Sequence, residues 1–286
     1  MLTDLAFYED SIFKKVFSKD NEILLDLLNS LPQFQGSDRI KKVKILNPEI
    51  LGTKKNIKNT ILDIHAEDIS NRKFLIEMQT NSHEGFSQRI LFNWSKLYST
   101  SLEKGETYKE LPKVYSINFL KFSLIKNQTD YISSFKILEE KHHEICLTKD
   151  LEIIIIELPK LKKEFHELNS ILEYWIYLIR ESPNLKEAEM KTIMKKSNGL
   201  NKAIKEIKFI YLDEESRKLH AARLNAERKY KKDLYEKGIE EGIEMEKFKT
   251  SLVLREFGMP IEKISKITGL SQKQILDYKN KVSKKK

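Results

Sequence analysis

A single cysteine, Cys146, stands in 286 residues, so no internal disulfide can form and a reducing compartment is expected. No basic pattern surrounds that cysteine, which argues against a thiol nucleophile. Glycine is scarce, nine in all, and none sits in a Walker-type or dinucleotide-binding loop. Long apolar runs are missing as well. None approaches the roughly 18 uncharged residues that a membrane helix needs. The strongest, Leu151–Leu158, is interrupted by Glu152 and Glu157 and reads as a buried strand. Met1-Leu2-Thr3-Asp4 lacks a basic segment leading into an apolar one, so no secretory signal is expected. These absences predict a cytoplasmic protein with no membrane partner.

What is present is a chain with enough apolar residues for a core, 40%, and a high charged fraction, 33%. Lys and Arg outnumber Asp and Glu by 52 to 43, a net charge of +9. Such a balance favours polyanions, nucleic acid above all, although a lysine-rich proteome produces it without any DNA partner. Ile12, Phe13, Val16, Phe17, Ile23, Leu24, Leu27 and Leu28 recur at three- and four-residue steps and predict a helix over 8–31. Residues 40–51 form a short β-like segment. Residues 60–69 and 73–80 read as a hairpin turning through Ser70-Asn71-Arg72. A helix over 85–104, ended by Gly105, carries Phe86, Ile90, Trp94, Leu97 and Leu102 on one stripe. Strands follow at 113–122, 131–138 and 143–157. The order predicts an α/β protein with a mixed central sheet flanked by helices and a helical C-terminal region.

The residues best placed for chemistry are Asp63, Glu77 and Gln79. Strand side chains alternate faces, so Glu77 and Gln79 point the same way. If the hairpin loop holds an odd number of residues centred near Ser70, Asp63 lies opposite Glu77; an even loop puts it opposite Met78. Ile61, Leu62, Ile64, Leu75, Ile76 and Met78 surround these acids with apolar side chains. A carboxylate inside such a strand is costly unless a cation or hydrogen bonds compensate it. Two converging acids would repel unless they shared a divalent ion, and Mg²⁺ suits one or two carboxylates with waters and phosphate oxygens. The plainer alternative is a pair of solvated edge-strand acids. His65 shares the face of Asp63, as a proton-transfer group or a packed strand histidine. His142-His143-Glu144 has neighbouring residues on different faces and no metal-site spacing.

Asp63 in Ile-Leu-Asp-Ile, with Glu77-Met78-Gln79 fourteen residues on, resembles the PD-(D/E)xK nuclease motif. More closely, the chain resembles the Rpn family of recombination-promoting nucleases and putative transposases. The resemblance rests on Asp10-Ser11-Ile12-Phe13-Lys14-Lys15-Val16-Phe17, on Arg89 and Tyr98 of the following helix, and on Gly105-Glu106-Thr107-Tyr108. It implies a restriction-endonuclease-like core and a DNA endonuclease working with Mg²⁺ or Mn²⁺, with roles in recombination, mobile elements or phage defence. Asp63 and Glu77 would then be the metal ligands. The superfamily's last motif position is Lys; here it is Gln79, which can orient a water or phosphate but supplies no charge. Lys14, one helical turn from Asp10, or Arg89 would supply the missing cation, Arg89 by contacting DNA. Asn93-Trp94 stands where the family has a Tyr-rich segment.

The C-terminal stretch 259–275 resembles a helix-turn-helix, with Ile261, Ile264 and Ile267 packed, Gly269 turning the chain and Ser271 capping a second helix. Gln272, Lys273, Gln274 and Lys279 would face DNA, and Lys284–Lys286 would add phosphate attraction. A helical hairpin for protein contact is the alternative. The charged stretch 215–250, with Gly238 and Gly242 four apart, is a candidate contact with a second copy, giving a homodimer through the C-terminal helices. The expected division is a nuclease-like core over 1–160, a helical accessory region over 161–250 and a tail over 251–286. A competing reading of the whole is a catalytically weak or inactive DNA-binding protein that acts through its helical tail.

Overall fold

The structure is a computed structural model that describes residues 6–46, 49–50, 60–61, 64–82, 84–212 and 214–283. It divides into two compact units, 1–217 and 218–286. The first opens with α1 (Asp10–Lys19) and α2 (Asn21–Ser30), two helices where the periodicity predicts one. The break lies at Asp20, whose extended backbone lets its carboxylate accept the Glu22 N–H at 2.8 Å. An aspartate at such a position satisfies a helix start better than it continues a helix. Lys202 Nζ donates to Asp20 at 2.7 Å and holds that carboxyl below its usual range.

Six strands form one mixed sheet: β1 (Val43–Leu46), β4 (Ile64–Asp68), β5 (Lys73–Gln79), β6 (Val114–Leu120), β8 (Leu151–Glu157) and β7 (Ile132–Phe135), in that spatial order. β1, β4 and β5 run as an antiparallel meander; β6 and β8 lie parallel to β5, and β7 is antiparallel to β8. β2 (Glu49–Ile50) and β3 (Thr60–Ile61) pair separately. The parallel step from β5 to β6 is made by α3 (Phe86–Thr100), as a crossover connection requires. α3 ends at Thr100, five residues before Gly105, with the Ser101 N–H closing on Tyr98. Residues 143–150 are loop rather than strand, joined to the preceding arm by an isolated bridge between Leu138 and Cys146.

Alternation assigns the two faces of the sheet. Phe74, Ile76, Met78, Tyr115, Ile117, Phe119, Ile154 and Ile156 enter one large core with the apolar sides of α1 and α2. α4 (Ile171–Glu181), α5 (Glu187–Met194) and α6 (Asn198–Leu212) close the same core, giving it Trp175, Ile179, Ile193, Ile204 and Ile207. Residues 161–212 thus pack with the first unit, and the observed division at 217/218 differs from the boundaries expected at 160 and 250. Periodicity reveals that a helix is amphipathic but not which surface it covers.

Gly199 shows how closely α6 approaches α2. A Cβ there would lie 2.2 Å from Asp26 Cβ. Asp26 is itself fixed by the Trp175 indole N–H at 2.9 Å and the Ser197 hydroxyl at 2.7 Å. Relief therefore demands movement of a helix rather than of a side chain. Gly199→Ala is expected to cost roughly 3 kcal/mol, read as a lower urea midpoint, because overpacking outweighs the gain in helix propensity. An unchanged midpoint would contradict this packing.

The second unit holds the later part of α7 (Glu214–Glu256), α8 (Ile261–Thr268) and α9 (Gln272–Ser283). Ile264, Leu270 and Ile275 form its small core with Phe248, Leu254, Met259 and Ile261 around them. Gly269 ends α8 at φ 72°, a left-handed conformation that favours glycine. No helix among the described residues is long and apolar enough to cross a membrane.

Candidate active site

The face of the sheet opposite the large core is covered by α3, and there the apolar packing is split in two. Trp94 and Leu97 pack on Leu75, Val114 and Leu151. Phe86 and Ile90 pack on Leu120 and Ile155. Between these clusters the inward positions are polar: Glu77 on β5, Ser116 and Asn118 on β6, and Arg89 and Asn93 one turn apart on α3.

Glu77 is 5% exposed. Asn93 Nδ2 donates to its Oε1 at 2.7 Å, while Arg89 Nη2 reaches its Oε2 at 3.4 Å. Burial pushes the Glu77 carboxyl above its ordinary range; the Asn93 hydrogen bond and the charges of Arg89 and Lys14 pull it back only in part, and Asp10 adds to the rise. The α1 start thus acts on Glu77 through space, and Lys14 and Asp10 form their own ion pair at 3.1 Å. Gln79 ends β5 on the same face as Glu77, half-buried.

Glu77 pairs in register with Asn118, which is fully buried and donates to Ser116 Oγ at 3.0 Å. Asn118 Oδ1, Asn93 Oδ1 and Arg89 Nε are buried without a hydrogen-bond partner among the described residues. Each such atom costs about 1–3 kcal/mol, so three in one polar layer mark a place shaped for something other than stability. Asn93 and Asn118 were not among the residues the sequence singled out as catalytic. Their signal was there: each is a polar side chain at an inward position of an otherwise apolar stripe.

The β4–β5 ladder pairs Ile64 with Ile76 and Glu67 with Lys73, so its turn is odd and centred on Ser70. Asp68 sets it. Its Oδ1 accepts the N–H groups of Ser70 and Arg72 at 2.9 Å, and its Oδ2 accepts from Arg72 Nε at 2.6 Å. Asn71 takes the left-handed turn position at φ 59°. Asp63 lies outside the described residues, as do Lys284–Lys286. Among the described residues no three His, Cys, Asp or Glu side chains cluster as a metal site.

His65 shares the α3 face, paired with Leu75 and 8% exposed. Burial first, and the Lys73 charge second, lower it to about 4, and its Nε2 has no partner among the described residues. A depressed histidine adds stability above pH 6.5 and loses it as pH falls from 6.5 to about 4, here about 3 kcal/mol. Glu77, whose carboxyl is raised, slopes the other way. Urea unfolding in chelator at pH 7 and pH 4 should therefore show a smaller loss in His65→Leu than in the wild type; equal losses would contradict the histidine's part in it.

Tyr98 donates to Asp150 at 2.8 Å and stacks on Trp94, and Tyr108 is 84% exposed, so neither reaches Glu77. In the second unit Gln272 and Lys273 are exposed. Gln274 is not free: its Oε1 accepts the Ser271 N–H at 2.9 Å while Ser271 Oγ accepts the Gln274 N–H at 3.2 Å, a capping box. Ile267, expected to pack, is 60% exposed; the packed stripe of α8 runs through Ile261, Ile264 and Thr268. The backbone of Lys279 lies in α9 and its side chain outside what the structure describes. Residues 251–286 contain nine Lys and Arg against three Asp and Glu.

A mixed sheet flanked by helices, whose central strand carries a buried carboxylate next to an amide two residues on, is a restriction-endonuclease-like α/β fold. The chain belongs to the PD-(D/E)XK nuclease family transposases, whose family model matches residues 7–237. No curated protein and no solved structure matches it. The family match spans the sheet and all its covering helices and stops before α8 and α9.

Proposed function

We propose that this nuclease-family chain is a metal-dependent DNA endonuclease that hydrolyses phosphodiester bonds. Glu77 carries the reading: a buried, incompletely compensated carboxylate on the sheet face under α3. Asp63, the acid that the sequence motif pairs with Glu77, would be the second acid. Glu77 and Asp63 make a pair of hard oxygen donors, which fits Mg²⁺ or Mn²⁺ with waters and phosphate oxygens completing the shell. Such an ion, when bound, supplies water activation and neutralises charge on the phosphate.

The remaining work falls to the chain's own residues. Gln79 orients the attacking water or a phosphate oxygen. Lys14 and Arg89 steady the phosphate. α9 presents Gln272 and Lys273 to the duplex; Lys279 would add a contact with it, and the basic tail adds non-specific attraction. Gln274, closed in its capping box, would contribute to helix start rather than to base reading. On α7 the exposed Tyr235, Ile239 and Ile243 recur every fourth residue beside Gly238 and Gly242, which supports pairing with a second copy. The family resemblance adds recombination or mobile-element and phage defence as the setting, in the cytoplasm.

Gln79 also favours a second reading, a catalytically weak protein that binds DNA through its tail, since a neutral amide replaces the expected cation. Conversion of supercoiled plasmid to open circles in Mg²⁺, blocked by EDTA, separates the two. The nuclease reading predicts cutting; salt-sensitive binding with no cutting in Mg²⁺ or Mn²⁺ would leave only the second. A labelled RNA of matching sequence in the same assay tests whether the backbone sugar matters.

A further inference from the structure

We propose that the two oxygens of Glu77 have separate duties: Asn93 holds Oε1 permanently, and Arg89 occupies Oε2 only until a divalent cation takes its place and frees Arg89 for the DNA phosphate. This rests on the nuclease reading above. It goes beyond it by making Asn93 a positioning residue and Arg89 a competitor of the metal.

The two contacts differ in every respect. Asn93 is 4% exposed and donates at 2.7 Å, a short charge-assisted bond from a side chain with nowhere else to go. Arg89 approaches at 3.4 Å through one nitrogen, not with the two-pronged fork that a committed arginine–carboxylate pair uses. Its side chain is 35% exposed, and its Nε is buried without a partner among the described residues. The guanidinium lies 5.3 Å from the centre of the Phe86 ring, a flat surface along which it can turn without losing contact. Arg89 and a divalent cation would be competing for one carboxylate oxygen, since two positive groups there repel. Asn93, bonded through its amide nitrogen, keeps a buried carbonyl oxygen with no partner among the described residues, fit to accept from a water on that cation.

The test is Mn²⁺ titration of the full chain by calorimetry in the absence of DNA, beside plasmid nicking. Arg89→Ala should bind Mn²⁺ about 5-fold more tightly, as expected when a coupled competitor is removed, yet nick more slowly. Asn93→Leu should bind it about 10- to 100-fold more weakly. A merely structural arginine would not move the two readouts in opposite directions. Arg89 is partly exposed, so its truncation decides the matter even where Asn93→Leu fails to fold. Wild type that binds Mn²⁺ and nicks, with unchanged or weaker Mn²⁺ binding in Arg89→Ala, overturns this inference alone. Wild type that binds no Mn²⁺ overturns it together with the nuclease reading.

Discussion

Glu77→Gln should abolish Mg²⁺-dependent nicking, by about a thousandfold or more, and at the same time raise the melting temperature at pH 8. The two effects have one cause. Burial raises the folded-state carboxyl above its unfolded value, so Glu77 contributes stability below its unfolded pKa and loses that contribution as pH rises through the folded one. At high pH the ionised wild-type carboxylate bears that loss; a glutamine bears none of it. Gln keeps an oxygen for the Asn93 amide, and Arg89, partly exposed, can turn to solvent rather than face the new NH₂ group. The stability difference between variant and wild type should therefore shrink as the pH is lowered. Asp63→Ala should remove nicking to the same degree if the pair shares one ion. A Glu77→Gln protein that melts no higher but still fails to cut would sink the claim that this carboxylate is strained by burial. One that cuts normally would sink its place in the chemistry.

That expectation was within reach of the sequence because strands have a strict period. Glu77 and Gln79 had to share a face, and apolar neighbours on both sides had to bury them. The register was not within reach: odd and even turns stayed open in the sequence, and the odd turn about Ser70 follows from Asp68, with its two backbone acceptor bonds and its pairing to Arg72. Helix partners were not readable. Asn93 looked like a departure from a tyrosine-rich pattern until α3 was laid across β5, when its amide came to lie against Glu77. Asn118 stayed hidden for the same reason: being opposite Glu77 is a property of the parallel pairing, fixed by a crossover of 34 residues between Gln79 and Val114 rather than by anything local. The break at Asp20 shows the limit of apolar periodicity, which continues unchanged across a capping side chain. Likewise, the helices of 161–212 were predicted as helices but not as the closing layer of the main core.

Gln79→Lys should raise the nicking rate by about 10- to 100-fold, with little change in DNA affinity. The position is suited to it. Gln79 is the last residue of β5, two from Glu77 on the same face and half-buried, so a lysine stem can lie along the sheet while its ammonium reaches the phosphate. A fixed positive charge there would stabilise negative charge as it develops on the transferring phosphate, which an amide dipole does far less well. It would also favour ionised Glu77, opposing the effect of burial on that carboxyl. The change is therefore expected chiefly in turnover and in a shift of the acid side of the pH–rate profile toward lower pH, with the apparent binding of a plasmid nearly constant. A modest gain would mean that Lys14 or Arg89 already supplies most of the charge, and Lys14→Ala in the Gln79→Lys background should then cost much less than in the wild type. No gain from an active wild type would remove position 79 from the reaction. Inertness of both proteins, with tail-dependent DNA binding intact, would leave the core a scaffold that retains the nuclease fold without its chemistry.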